Sequence, residues 1–169
     1  MLIYDRKKDY VENGSGIVQY LDNLSFTSKN MAILMMIVSD NIATNKMIEY
    51  LGFDSINNTI KDMGFNNTEL IAKKLDFDIY NSIGKTTAYE YAKLYKMLLN
   101  KEILAPDLCD EIIEILSHQI KNEMLNGYFY ADNTASVLVY ESNNIEGNRQ
   151  LVVKIGKIVY EYLKNDFVK

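Results

Sequence analysis

The stretch that decides the fold is Met31–Gly52, MAILMMIVSDNIATNKMIEYLG, because two apolar helical runs meet within it. Apolar residues recur at helical spacing before and after the tripeptide Ser39-Asp40-Asn41. They are Met31, Leu34, Met35 and Val38 on one side and Ile42, Met47, Ile48 and Leu51 on the other. Gly52 takes the position that often follows a helix. The pattern predicts two core helices, 29–38 and 42–51, joined by a polar corner.

The corner Ser39-Asp40-Asn41 brings a hydroxyl, a carboxylate and an amide together. Two of these side chains can reach into a cleft while the third hydrogen-bonds the backbone of the turn. The alternative interpretation is a helix end followed by an ordinary cap, because Ser, Asp and Asn are the common capping residues.

Composition indicates a single globular domain, since 169 residues that are 48% hydrophobic can bury a sizeable core. The net charge of −5 argues against a nucleic-acid partner. The lone cysteine, Cys109, excludes an internal disulfide and is expected on a buried helix face. We find neither a run of membrane-spanning length nor a secretory signal, and the localisation stays open.

The other predicted elements follow from caps and turn residues. Residues 1–13 are a short polar segment, and Gly14-Ser15-Gly16 is predicted to be a flexible bend. Residues 17–21 are weakly amphipathic, and residues 69–85 are predicted to be an extended loop beside the corner. Thr27 or Ser28 is expected to cap the first helix and Asp54 or Ser55 the third, and Thr87 with Glu90 has the spacing of a capping box. The further predicted helices are 56–63, 89–100, 107–124 and 145–163, with a β-hairpin at 126–141. Together these elements predict an α+β fold that is mostly α-helical.

The run VSDNIATNKMIEYLG, followed by INNTIKDMGFNNTEL, resembles the class A serine β-lactamases and related penicillin-recognising proteins. Those families carry a Ser-Asp-Asn corner, an Ala-Thr-Asn helix, a Leu-Gly stop and a short helix that ends in Gly. The matching elements here are Ala43-Thr44-Asn45, Leu51-Gly52 and Met63-Gly64, with Gly14-Ser15-Gly16-Ile17 and Thr86-Thr87-Ala88 extending the match.

The resemblance implies one domain, 1–169, with a helical lobe at 17–125 and part of an α/β lobe, a hairpin and a C-terminal helix, at 126–169. It implies an acyl-serine hydrolase that opens β-lactams, the family role in antibiotic resistance. In that role Ser39 would be a proton shuttle, Asn41 would hydrogen-bond the substrate amide and a lysine, and Asp40 would stabilise the turn. The implied ligand is a β-lactam or peptidoglycan-like molecule, with no cofactor and no metal, and the family is usually secreted or periplasmic.

Three departures from the family pattern lead us to expect an inactive, truncated form. The nucleophile motif Ser-x-x-Lys does not occur before Ser39. Ser82-Ile83-Gly84-Lys85 fits it only literally, because Gly84 disfavours a helix. Lys85-Thr86-Thr87 is the nearest match to Lys-Thr-Gly and is better explained as a helix start. The deacylating Glu-x-x-Leu-Asn segment is also missing, and we interpret Glu69, Asp76 and Asp78 as solvated or capping groups.

The alternative function is a non-catalytic binding or interaction domain that kept the helical lobe. His118 lacks a partner carboxylate at a defined spacing, so neither a general base nor a metal ligand is expected there. The hairpin at 126–141 would leave two open sheet edges, from which we predict self-association into a homo-oligomer.

Overall fold

Helices dominate the computed structural model, which describes residues 1–76 and 82–120. The described helices are α1 (Arg6–Asp9), α2 (Ser28–Val38), α3 (Asn41–Leu51), α4 (Phe53–Asp62), α5 (Ala88–Leu99) and α6 (Pro106–Ser117), and Val18–Tyr20 forms a short 3-10 helix. The described strands are β1 (Leu2–Tyr4), β2 (Leu24–Phe26), β3 (Glu69–Leu70) and β4 (Gly84–Lys85). This mostly helical α+β architecture confirms the predicted fold class.

The two helices around the corner form as the sequence predicts, to within a residue at each end. Thr27 caps α2, because its hydroxyl accepts a hydrogen bond from the Asn30 amide at 3.1 Å. Gly52 ends α3 with φ 84°, a conformation that an L side chain strains to adopt. α2 packs against α3 and α6, so it lies in the middle of the described helices.

The first residues are more ordered than their polar composition predicts. β1 pairs antiparallel with β2, and Tyr4 lies opposite Leu24. Tyr4 is fully buried, and it forms a core cluster together with Val11, Val18, Met31, Ile42 and Ala43. The N-terminal segment therefore contributes to the same core as α2 and α3.

The third helix begins earlier than predicted. α4 starts at Phe53 instead of Ile56, and Gly52 occupies its N-cap position without a side-chain hydrogen bond. Asp54 lies inside the first turn, so neither Asp54 nor Ser55 is the cap. The reason is that Gly52 lets the chain pass from α3 into α4 with no intervening loop.

The segment predicted as an extended loop contains a pair of strands. β3 and β4 pair antiparallel, with Glu69 opposite Lys85 and Leu70 opposite Gly84. The side-chain amide of Asn57 on α4 both donates to the Leu70 carbonyl, at 2.9 Å, and accepts from the Leu70 amide, at 2.8 Å. One asparagine thus joins α4 to β3 through the backbone groups that a neighbouring strand would use.

Only one of the two hydrogen bonds of the predicted α5 capping box forms. The Thr87 hydroxyl accepts from the Glu90 amide at 3.2 Å, as predicted. The Glu90 carboxylate instead accepts from the Asn67 amide and side chain and from the Thr68 hydroxyl, the last at 2.6 Å. The hydrogen bond from Thr68, and next those from Asn67, hold the pKa of the buried Glu90 below its usual range although burial opposes them. Glu90 therefore joins α5 to the turn before β3.

We expect Glu90→Gln to lower the urea midpoint of unfolding near pH 7 and to lose this effect in acid. A carboxyl whose folded pKa is depressed contributes stability above its unfolded pKa of about 4.3. That contribution is lost as the pH falls through the folded pKa. Urea unfolding of both proteins at pH 7 and pH 3 measures the difference, and Glu114→Gln, on the exposed side of α6, is the matched control. An equal gap at both pH values would contradict the assignment.

The last described helix is shorter than predicted, since α6 ends at Ser117 instead of near Met124. After it the chain turns to α2, where the Ile120 amide donates to the Ile37 carbonyl at 3.1 Å and Gln119 Nε2 donates to the Met36 carbonyl at 3.3 Å. These carbonyls belong to the last turn of α2 and have no partner within that helix. The residues after α6 are thereby joined to the end of α2.

The predicted hairpin at 126–141, the predicted helix at 145–163 and the self-association argued from them lie outside the described residues. No helix within 1–76 and 82–120 has the length and apolar character needed to cross a membrane.

Candidate functional site

The Ser-Asp-Asn corner lies where α2 ends and α3 begins. Ser39 ends α2 in the left-handed conformation, with φ 54° and ψ 44°. Asp40 is extended and caps α3, and Asn41 is the first residue of that helix. Serine is uncommon at positive φ, since this conformation crowds its Cβ and glycine normally takes such positions. The corner therefore keeps a hydroxyl at a position where glycine would remove strain.

Asp40 holds the corner together from inside. Its side chain is buried, with 1% of the residue exposed. Oδ1 accepts from the Ala43 amide at 2.9 Å, and Oδ2 accepts from the amides of Ile17 and Val18 at 2.7 and 2.9 Å. The same carboxylate thus caps α3 and fixes the segment that leads into the 3-10 helix. Its direction into backbone amides is the one expected from the sequence.

Ser15 contacts both outer residues of the corner. The Ser15 amide donates to Asn41 Oδ1, and the Asn41 amide donates to the Ser15 carbonyl at 3.0 Å. The Ser15 hydroxyl donates to the Ser39 carbonyl at 2.7 Å. Gly14-Ser15-Gly16 is therefore a bonded support of the corner, and its prediction as a flexible bend is wrong.

Two polar groups of the corner remain unpaired within the described residues. They are Oγ of Ser39 and Nδ2 of Asn41, and both residues are half-buried. Because Ser15 donates to Asn41 Oδ1, the amide nitrogen is the atom left to meet a ligand. The corner can thus present a hydroxyl, which donates or accepts, beside an amide donor.

Asn45 has a structural partner that the sequence pattern did not predict. Its Oδ1 accepts from the Leu75 amide at 2.6 Å, and its Nδ2 donates to the Leu75 carbonyl at 3.2 Å. One turn after Asn41, it therefore ties α3 to the segment after β3. The sequence signal that could have found Asn45 is its position with Ile42, Lys46 and Glu49, because these residues recur at helical spacing on one face of α3.

A cavity of about 800 Å³ lies between residues 8–12, that face of α3 and residues 71–76. Neither Ser39 nor Asn41 lines it. Lys46 does, and its ammonium lies 2.8 Å from Asp9 and 3.2 Å from Glu49. Burial would lower the pKa of Lys46, but the hydrogen bonds to the two carboxylates outweigh burial and raise the pKa. Lys46 is thus a fixed cation that joins α1 to α3.

The segments that match the family's Ser-x-x-Lys and Lys-Thr-Gly motifs only in part have structural roles. Ser82 is exposed and donates to the Gly84 carbonyl at 2.6 Å, whereas Lys85 on β4 pairs with Glu69 at 2.7 Å. The two side chains of this Ser-x-x-Lys therefore do not form a nucleophile and base pair on a helix. Thr87 caps α5, as expected of a helix start, but Lys85 of the same predicted helix start lies on β4.

The remaining candidates that the structure describes also have structural partners. Asp76 pairs with Lys74 at 3.0 Å, and Asp78 lies outside the described residues. His118 follows α6, is exposed, and its Nδ1 lies 2.8 Å from the Glu114 carbonyl. Cys109 is fully buried on α6, as predicted. Within the two described ranges, no three acidic, histidine or cysteine side chains are grouped to hold a metal ion.

Comparison with solved structures finds similar folds. A β-lactamase from Sphaerobacter thermophilus is 26% identical with a TM-score of 0.63, and the match covers 71% of this chain and 46% of that one. PBP-A is 22% identical with a TM-score of 0.72, covering 89% of this chain and 67% of that one. A PBP-A mutant, as its acyl-enzyme complex with penicillin G, is 20% identical with a TM-score of 0.73 and the same coverage. The chain thus spans about half the length of the Sphaerobacter β-lactamase.

No curated protein sequence matches the chain. The model of the Beta-lactamase enzyme family matches residues 3–135, most of the sequence and all of the corner. Two structural neighbours described as a β-lactamase and a penicillin-bound protein share its helical fold. The chain therefore belongs to the β-lactamase enzyme family.

Proposed function

We propose that the corner is the Ser-Asp-Asn part of a penicillin-recognising site, and that Ser39 and Asn41 contact a β-lactam or peptidoglycan-like ligand. The observation that supports the proposal is that the three side chains have different hydrogen-bond partners. The Asp40 carboxylate is wholly engaged by backbone amides, whereas Ser39 Oγ and Asn41 Nδ2 have no described partner. A capping role accounts for Asp40, but it uses neither Ser39 Oγ nor Asn41 Nδ2.

The backbone at Ser39 supports the same proposal. A glycine at this helix end would relieve the left-handed strain, so the serine is kept at a cost in stability. Strained backbone held by its surroundings is a feature of functional sites. Here the Ser39 amide donates to the Leu34 carbonyl and the Ser39 carbonyl accepts from the Ser15 hydroxyl, so the peptide units on both sides of Ser39 are held.

In acyl transfer, with the nucleophilic hydroxyl supplied by another segment, Ser39 would relay a proton. A nucleophilic hydroxyl attacks the β-lactam carbonyl carbon, the ring C–N bond breaks, and the released nitrogen needs a proton. Ser39 Oγ would donate that proton and accept another from the side of the nucleophile. Asn41 Nδ2 would donate to a carbonyl oxygen of the ligand and fix its orientation.

We further propose that these 169 residues bind the ligand without becoming acylated. The sequence has no Ser-x-x-Lys before Ser39, and the literal match at Ser82 has its lysine paired with Glu69 on a strand. A serine without a positioned base is a weak nucleophile. Reversible recognition without chemistry is also what the alternative, a non-catalytic binding domain, requires.

We therefore expect the chain to show no covalent adduct after incubation with penicillin G. Intact-protein mass spectrometry checks this result, and hydrolysis of a chromogenic cephalosporin checks turnover. An added mass of one β-lactam, mapped to any serine, would contradict the missing-nucleophile argument.

The recognition half of the proposal is tested separately by titrating penicillin G into ¹⁵N-labelled protein. The side-chain amide signals of Asn41 should shift and saturate. Ser39→Ala should weaken this response, and Ser25→Ala, at an exposed position on β2, should not. If the Asn41 signals do not respond at any concentration, the corner does not recognise the ligand and the proposed function is wrong.

A further inference from the structure

We propose that Ser15 is a positioning residue of this site, setting the direction in which Ser39 and Asn41 face the ligand. The inference rests on the proposed function and adds a residue that lies 24 positions before Ser39 and 26 before Asn41. Ser15 itself does not act on the ligand. It acts through the two residues that do.

Ser15 uses three of its polar groups on the corner. Its amide donates to Asn41 Oδ1, its carbonyl accepts from the Asn41 amide at 3.0 Å, and its hydroxyl donates to the Ser39 carbonyl at 2.7 Å. One of these hydrogen bonds would be enough to hold the loop to the helix. Contacts to both functional residues, and to the side chain of one of them, indicate control of their orientation.

The Asn41 side-chain amide can face a ligand in two orientations. A side-chain amide has one acceptor and two donors, and rotation by half a turn exchanges their positions. Because the Ser15 amide is a donor, it fixes the oxygen of Asn41 toward the loop and the nitrogen away from it. Without Ser15, either atom could meet the ligand, and a donor would be presented only part of the time.

Ser39 is the second residue that Ser15 holds, and its left-handed backbone has alternatives of lower energy. The hydrogen bond from the Ser15 hydroxyl to the Ser39 carbonyl holds one side of the peptide that joins Ser39 to Asp40. The Asp40 amide, on the other side of this peptide, donates to the Leu34 carbonyl at 3.3 Å. The hydroxyl of Ser15 thus helps to select one orientation of Ser39.

Further hydrogen bonds hold the 14–16 loop. Gln19 Nε2 donates to the carbonyls of Gly14 and Gly16, each at 3.2 Å, and so closes the loop over its own backbone. Ser15 is the residue between these two carbonyls. The loop therefore holds Ser15 in place before any ligand arrives, which is the preorganisation that site residues need.

Two substitutions separate the contacts. Ser15→Ala removes the hydroxyl and its bond to Ser39, whereas Ser15→Pro also removes the amide that holds Asn41 Oδ1. Ser15→Thr restores a hydroxyl, and Ser25→Ala is the control serine. We expect penicillin G affinity to fall about three- to tenfold in Ser15→Ala, the size of one lost hydrogen bond, and to recover in Ser15→Thr.

The spectroscopic readout separates positioning from general stability. In the ligand-free protein, Ser15→Ala should shift the backbone amide of Asp40, whose peptide carries the Ser39 carbonyl. Ser15→Pro should move the Asn41 side-chain signals toward those of a freely rotating asparagine. If Ser15→Pro fails to fold, the Asp40 shift and the affinity of Ser15→Ala decide alone.

The outcomes for the two proposals are distinct. If the unchanged chain does not respond to penicillin G, the proposed function fails, while the ligand-free Asp40 and Asn41 signals still test the positioning role. If the chain responds and Ser15→Ala binds equally well with an unshifted Asp40 amide, Ser15 is a structural residue only and this inference is wrong.

Discussion

Replacing Gly16 with alanine is expected to destabilise the fold by about 3 kcal/mol or more, lowering the melting temperature by about 6–12 °C. A Cβ at Gly16 would meet the Asp40 carboxylate and lie 2.6 Å from Asp40 Cα. Its φ of 110° is unfavourable for any L side chain. Relief requires the 14–18 segment to leave the corner, which breaks the Asp40 and Ser15 hydrogen bonds together. Thermal and urea unfolding measure the loss.

Gly64→Ala is the matched control for this substitution. Gly64 also has positive φ, at 78°, but a Cβ there would find its nearest neighbour, Lys93 Nζ, at 3.8 Å. Its cost should be that of the backbone strain alone, about 1–2 kcal/mol. The difference between the two variants therefore measures the close approach of the loop to Asp40. Equal losses would show that the loop can move aside and that the contact is not tight.

The helices beside the corner could be predicted because every signal there is local. Apolar spacing, the Thr27 cap and the Gly52 stop each act within a few residues, so α2 and α3 form where the sequence indicates. The same holds for Cys109, whose burial follows from its place on an apolar helix face.

The supports of the corner could not be predicted because their partners are distant in sequence. Ser15 and Ser39 are 24 residues apart, and Asn45 and Leu75 are 30 apart. A glycine-rich tripeptide or a single asparagine does not indicate such a partner. In sequence, a short segment held by hydrogen bonds looks the same as a flexible bend. Glu90 shows the same limit, since the spacing that predicts a capping box does not reveal that Asn67 and Thr68 compete for its carboxylate.

The error at α4 has a different origin. Two residues of the expected capping types, Asp54 and Ser55, favoured a cap by side chain, but Gly52 supplied a backbone solution that needs none. A glycine between two helices can end one and start the next, and composition alone does not distinguish that case from an ordinary stop.

Replacing Asp40 with alanine is expected to cost about 3 kcal/mol or more, because it leaves the Ile17, Val18 and Ala43 amides without their acceptor. Each buried amide left unpaired costs about 1–3 kcal/mol, and water can reach only the more exposed of them. The loss of the α3 cap adds to the effect, about 1 kcal/mol in typical helices. Urea unfolding of the two proteins at neutral pH measures the difference.

Ser39→Ala should by contrast stay within about 0.5 kcal/mol of the unchanged chain, since no described group depends on the hydroxyl and alanine keeps the same Cβ at positive φ. The pair of substitutions therefore separates the two kinds of residue in the corner. Asp40→Ala should remove stability, and with it any binding, whereas Ser39→Ala should reduce the penicillin G response of a protein that is still folded. The reverse order of stabilities would make Ser39 the structural cap, and the corner would then have no side chain free to act on a ligand in the way proposed.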